Sequence, residues 1–167
     1  DGGTLNAAFG SDTMKANTTG DNNVAVGAES LFSNTTASSN TAVGYQAAYS
    51  NTTGATNTAL GQWSLYDNTS GSNKVALGRD ALQNNTIASK NNAMGYQAGY
   101  SNVAAGAQVF VGYKAGYATT TGGGALLESP PHEAVAVARA TSATALSKLL
   151  IFMIITPEKC GPLWPMW

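Results

Sequence analysis

Glycine recurs at positions 10, 27, 44, 61, 78, 95 and 112, a constant step of 17 that no insertion or deletion interrupts. Seven units of 17 residues therefore fill 6–124. A fixed short period means that each unit repeats one local conformation and packs on its neighbours, so the chain reads as a stack rather than a globule. The period is too short for a helix pair and shorter than the roughly 20–29 residues of leucine-rich repeats. Extended, 17 residues trace about 56 Å, enough for one coil with two short sides, and stacked strands sit about 4.8 Å apart. All five prolines (130, 131, 157, 162 and 165) lie outside the array, as a hydrogen-bonded stack requires. The expected fold is all-β: a β-solenoid or β-roll of seven 17-residue coils, trimeric, followed by a non-repeat C-terminal segment. The boundaries are a lead-in over 1–5, the repeats over 6–124 and the C-terminal segment over 125–167.

With Asn6 as the first residue of a unit, each column of the repeat has a physical role. Column 3 is alanine from Ala8 to Ala93 and becomes Phe110 in the last unit. Column 4 is apolar throughout: Phe9, Val26, Val43, Leu60, Leu77, Met94 and Val111. Adjacent strand residues point to opposite faces, so this reading takes column 4 as the repeat core and the methyl face as a place for another backbone to approach. Column 5 is the glycine column Gly10, Gly27, Gly44, Gly61, Gly78, Gly95 and Gly112, suited to a corner of positive φ or a tight contact. Column 9 adds Met14, Leu31, Leu65 and Leu82, and column 10 an aromatic row. A short helical turn over columns 6–10 is the alternative to an irregular corner there. One coil buries about two medium apolar side chains, roughly 3–6 kcal/mol. Ordering 17 residues costs more, at about 1–2 kcal/mol each. The remainder is therefore expected from neighbouring chains, with three rods around an axis.

The unit Asn40-Thr-Ala-Val-Gly-Tyr-Gln-Ala-Ala-Tyr-Ser-Asn-Thr-Thr-Gly54 resembles the head repeats of trimeric autotransporter adhesins. It is still more similar to the Asn/Gly/Thr-rich repeats of phage tail fibres and related surface fibres. The resemblance covers 6–124 and implies a trimeric extracellular β-roll used as a stalk or adhesive surface. The coil is longer than the usual adhesin-head coil, and neither a heptad stalk nor an anchor barrel is recognisable, which favours the fibre version.

Composition excludes much else. Only 10% of residues are charged and the formal net charge is −1, which leaves no basic patch to grip nucleic acid or anionic lipid. One cysteine (Cys160) and one histidine (His132) give neither a disulfide framework nor a His-rich metal site. Column 7 mixes Asp12, Glu29 and Asp80 with Gln46, Trp63, Gln97 and Lys114, so no acidic residue recurs in phase to hold calcium. Gly122–Gly124 lacks the Lys-Ser/Thr of a phosphate loop. No enzyme, cofactor or metal is expected. Asp1–Asn6 shows no signal-peptide pattern. The longest apolar run, Leu149–Ile155, is seven residues against the roughly 20 of a membrane span.

Three surface features remain. Asn17, Asn34, Asn51 and Asn68 each begin an Asn-x-Thr/Ser triplet, so they form either a glycan row or an asparagine ladder that caps turns. Thr18, Thr35, Thr52, Thr69 and Thr86 stack in phase, the pattern of an ice-binding solenoid. Tyr49, Tyr66, Tyr100 and Tyr117, with Tyr45, Tyr96 and Tyr113 beside them, either contact a cell-surface glycan or receptor or pack between coils. After Gly124 no asparagine occurs. Ala134–Ile155 reads either as an Ala-rich helix or as two strands, Glu133–Ala138 and Leu149–Ile155, the latter buried in a trimer cap or against an adjacent subunit. The function expected is an extracellular structural fibre or filament subunit, acting by self-assembly and multivalent adhesion. The alternative is a surface-binding module, an adhesin tip or an ice-binding solenoid.

Overall fold

The computed structural model describes residues 3–103, 106–120 and 124–127, all within one compact unit, Asp1–Pro130. Eight short strands follow one another in sequence and in space: β1 (Ala7–Phe9), β2 (Val24–Val26), β3 (Thr41–Val43), β4 (Thr58–Leu60), β5 (Val75–Leu77), β6 (Asn92–Met94), β7 (Gln108–Val111) and β8 (Gly124–Leu127). They form one parallel sheet in the order β1 to β8. Like residues lie beside like: Ala8 pairs with Ala25, Ala25 with Ala42 and Val26 with Val43. The 17-residue phase of the sequence is thus the pitch of a β-solenoid. The last step differs, because Gln108 pairs with Gly124, a step of 16 that carries the sheet past the expected array end to Leu127. The expected helix or strands beyond Ala134, His132 and Cys160 all lie outside the described residues.

The core reverses the sequence reading of the strand. Column 3 points inward: Ala25, Ala42, Ala59, Ala76 and Ala93 are buried, as is Phe110. They pack against column 9 (Leu31, Leu65, Leu82) and column 8 (Ala47, Ala81, Ala98, Ala115) of the opposite wall. The column-4 residues expected to be core (Val26, Val43, Leu60, Leu77, Met94 and Val111) face out, with Leu60 48% and Met94 52% exposed. A coil this thin leaves room between its two walls for a methyl group opposite a leucine, but not for two large side chains. The backbone that approaches the alanine face closely therefore belongs to the same chain, and that face offers no seat for a neighbouring rod.

Column 5 needs glycine twice over. Its φ values run from +123° to +141°. A Cβ on Gly61 would lie 2.7 Å from the carbonyl carbon and oxygen of Gly78 in the next coil. The corner over columns 6–10 is no helix. Gln46 (φ 53°) and Ala48 (φ 52°) are left-handed, and an α-helix cannot hold alternate residues of opposite hand. Columns 7, 9 and 17 adopt this conformation whatever the side chain, including Trp63, Leu65 and Thr56. Each such residue costs about 1–2 kcal/mol. The gain is that backbone N–H groups turn along the stack: Glu29 N donates to Ser11 O at 2.8 Å, and Leu31 N to Ala47 O at 3.0 Å. Backbone groups that the strands leave unpaired at the corner thereby find partners in the next coil.

Candidate functional site

The outer face of β1–β7 alternates columns 2 and 4 around the inward alanine. It presents Val24, Val26, Val43, Leu60, Val75, Leu77, Met94, Val109 and Val111, with Thr41, Thr58 and Asn92 between them. No charged residue lies on this face. Soluble monomers seldom leave a contiguous apolar strip of this kind uncovered.

The aromatic rows are stacked. Phe32, Tyr49 and Tyr66 lie ring on ring, with centroids 5.0 and 5.2 Å apart. Tyr100 and Tyr117 stack at 5.0 Å, and Tyr96 and Tyr113 at 5.4 Å. In a second row Tyr45 meets Trp63 at 6.3 Å, and the Arg79 guanidinium lies 5.4 Å from Trp63 and 5.9 Å from Tyr96. Ring faces buried against one another are not open for stacking on sugar, so these rows present ring edges and hydroxyls. Burial, with the nearby Tyr49 and Asp67, raises the Tyr66 hydroxyl pKa above its usual value. Charge along the rows comes from Lys15 over Phe32 and from Lys114, which lies 5.5 Å from Tyr113 and 5.3 Å from Tyr117.

The threonine hydroxyls of column 13 are turned to the next coil. Thr18 Oγ1 donates to Thr35 O at 2.9 Å and Thr52 Oγ1 to Thr69 O at 2.9 Å. Their protons brace the stack and are not offered to an external lattice.

Inside the rod, two columns, asparagine in most coils, fill the polar half. In column 1, Asn23 Nδ2 donates to Ala37 O of its own coil (2.9 Å), while Asn23 Oδ1 accepts the N–H of Asn40 in the next (2.9 Å). In column 12, Asn34 Nδ2 donates to Asn17 Oδ1 (2.9 Å), Asn51 to Asn34 (3.0 Å) and Asn68 to Asn51 (2.7 Å). Asn34, Asn51 and Asn68 are fully buried. Their amide nitrogens are thus ladder donors, with no path to solvent for a glycan. Asn17, in the first coil, is part-buried.

The sequence reading did not single out Lys74. It replaces asparagine in column 1 of the fifth coil (74–90) and is 1% exposed. Its Nζ donates to Asn68 Oδ1 at 2.6 Å, to Asn85 O at 3.2 Å and to Asn85 Oδ1. Burial lowers its pKa from 10.5 to about 7. The signal was present, as the one cation in a column of amides, but charge in a repeat is ordinarily read as surface. Column 7 forms a further ladder: Gln46 Nε2 donates to Glu29 Oε2 (2.6 Å), Trp63 Nε1 to Gln46 Oε1 (2.7 Å) and Gln97 Nε2 to Asp80 Oδ2 (3.3 Å). Of its three carboxylates, Asp12 pairs with Lys15 at 3.2 Å and Asp80 stands three coils from Glu29, and no cluster of metal-ligating side chains occurs among the described residues. No helix of the described residues is long and apolar enough to cross a membrane.

No protein-family model, curated protein or solved structure matches this chain.

Proposed function

We propose that this chain is the structural subunit of an extracellular fibre: a rod that assembles with copies of itself and acts through repeated shallow contacts. The observation that carries the reading is the uncharged apolar strip running over seven strands at one pitch. A row of side chains spaced by about 4.8 Å is matched best by a second row of the same spacing, which another copy of the chain supplies. Multivalency then gives strength without a deep pocket, because each added contact is made at high effective concentration. The resemblance of the repeat to tail-fibre and adhesin-head units points the same way. The outer strip replaces the alanine face as the surface for the expected trimer.

Substituting Val43→Lys and Leu60→Lys together tests this. Both residues are outward and only partly buried, so the rod should keep its circular dichroism spectrum. The parent chain should sediment and image as trimers or filaments and the variant as single rods. A parent chain that is monomeric at tens of micromolar would overturn the reading. Assembly unchanged in the variant would remove the outer strip from it.

A further inference from the structure

The column-12 ladder changes direction at the fifth coil. Below it, each amide donates backward, from Asn68 to Asn51, from Asn51 to Asn34 and from Asn34 to Asn17. Above it, Asn85 Nδ2 donates forward, to Asn102 O (2.8 Å) and Asn102 Oδ1 (3.2 Å). Asn68 Oδ1, which also accepts from Gly71 N (3.1 Å), and Asn85 Oδ1 therefore face each other with no side-chain amide of the column between them, and Lys74 Nζ occupies that gap. Other columns break at the same place. The stacked aromatic row of column 10 is interrupted by Gln83. Lys74, Arg79, Asp80 and Lys90 all fall in this one coil, whereas the third and sixth coils carry no charge.

We propose that the joint between the fourth and fifth coils is a proton-sensitive break point of the rod, which parts first when Lys74 is charged and stays locked when Lys74 is neutral. A neutral amine has two N–H donors, and the two facing amide oxygens take both. The ammonium gains one more acceptor, Asn85 O, but gives up its hydration in an interior without a counter-ion, a loss that hydrogen bonds to neutral carbonyls offset only in part. Opening the joint returns it to water. In a stack held by nearest-neighbour contacts, such a penalty acts on one interface and leaves distant coils unaffected.

The titratable groups of the two coils are Tyr66 and Asp67 on one side and Arg79, Asp80 and Lys90 on the other. Arg79 pairs with Asp80 at 3.5 Å, and among the described residues no carboxylate lies within 4 Å of Lys74 Nζ. Burial raises the Asp67 carboxyl pKa, an effect that weakens the fold as pH rises through the carboxylate range and is opposite in sign to that of Lys74. With burial holding Lys74 at about 7 against 10.5 when hydrated, opening at this joint should fall about thirtyfold between pH 6 and pH 8.5.

Hydrogen exchange of the intact chain, resolved by peptide and corrected for intrinsic rates, tests the proposal at these two pH values. Amides bridging the fourth and fifth coils should be the least protected of the inner joints at pH 6 and gain about thirtyfold at pH 8.5. Lys74→Asn restores the column's own residue, so it should fold, protect this joint like its neighbours and lose the pH dependence. Lys74→Arg keeps the charge at both values and should leave the joint weak at both. Equal protection of all inner joints at pH 6, or a pH dependence that persists in Lys74→Asn, would overturn the proposal.

Discussion

Phe110 offers a test of how the two walls of the rod are matched in size. In the second, fourth and fifth coils an inward alanine faces a leucine: Ala25 with Leu31, Ala59 with Leu65, Ala76 with Leu82. In the last two coils column 9 is glycine, at Gly99 and Gly116, and the inward residue of β7 is Phe110. A Cβ on Gly99 would sit 2.7 Å from the Phe110 ring and 2.9 Å from Leu82, and one on Gly116 would also meet that ring. One aromatic side chain has thus taken the volume of two leucines. Phe110→Ala alone should destabilise by about 3–5 kcal/mol, the usual range when a buried ring leaves a cavity. Gly116→Leu alone should cost about 1–3 kcal/mol from overpacking. Left-handed strain, about 1–2 kcal/mol, adds to it because φ there is +64°. The triple variant Phe110→Ala, Gly99→Leu, Gly116→Leu recreates the alanine–leucine pattern. It should be destabilised by at least about 3 kcal/mol less than the sum of its parts, at the upper end of couplings between touching residues. Urea unfolding followed by circular dichroism, with slopes compared to confirm one cooperative transition, measures each term. A triple variant whose loss equals the sum of the singles would refute the size-matching argument.

Three shorter predictions follow from the interior. Below pH 7 Lys74 is protonated folded and unfolded, so stability is flat there; between about 7 and 10.5 only the unfolded chain holds the proton, so stability should rise with pH. The total is on the order of 5 kcal/mol, at about 1.4 kcal/mol per unit, and urea titrations of Lys74→Met should show no such rise. Asn51→Ala removes a donor to Asn34 and Gly54 and an acceptor for Asn68, and should cost about 1–3 kcal/mol for each buried partner left unpaired. Asn51→Asp should cost more, with the deficit growing as pH rises through the carboxylate range, as measured by thermal melts at pH 4 and pH 7. In the chain secreted from a glycosylating host, peptide mass mapping should find Asn34, Asn51 and Asn68 bare, because they are enclosed by the fold; added hexose mass at any of the three would refute that enclosure.

The glycine column and its spacing made the stack, its pitch and its parallel order legible before any coordinates. Phase alone shows that Val26 lies above Phe9 and beneath Val43. It does not show which face of the strand looks inward, because alternation marks two faces and names neither. Residue size points the wrong way: it marks the larger side chain of each pair as core, whereas a wall separation set by Leu31 and Leu65 admits only Ala25 and Ala59 opposite. The left-handed corners were illegible for a different reason. They hold Asp12, Glu29, Trp63 and Lys114 alike, so the conformation is imposed by the stack and leaves no residue preference to read. The step of 16 at β8 breaks the phase that made the rest readable.

The bonds that join one coil to the next run along the rod, as from Gly27 N to Phe9 O (2.7 Å), Ser33 N to Tyr49 O (3.0 Å) and Thr18 N to Thr35 O (2.8 Å). Tension applied end to end is therefore shared by every bond around a coil at once, and none yields until nearly all do. A sideways force at one corner meets them singly and peels the coil away like a strip of tape. Such an element resists stretching far better than bending, and its yield point under load is set by its weakest single joint, whatever its length.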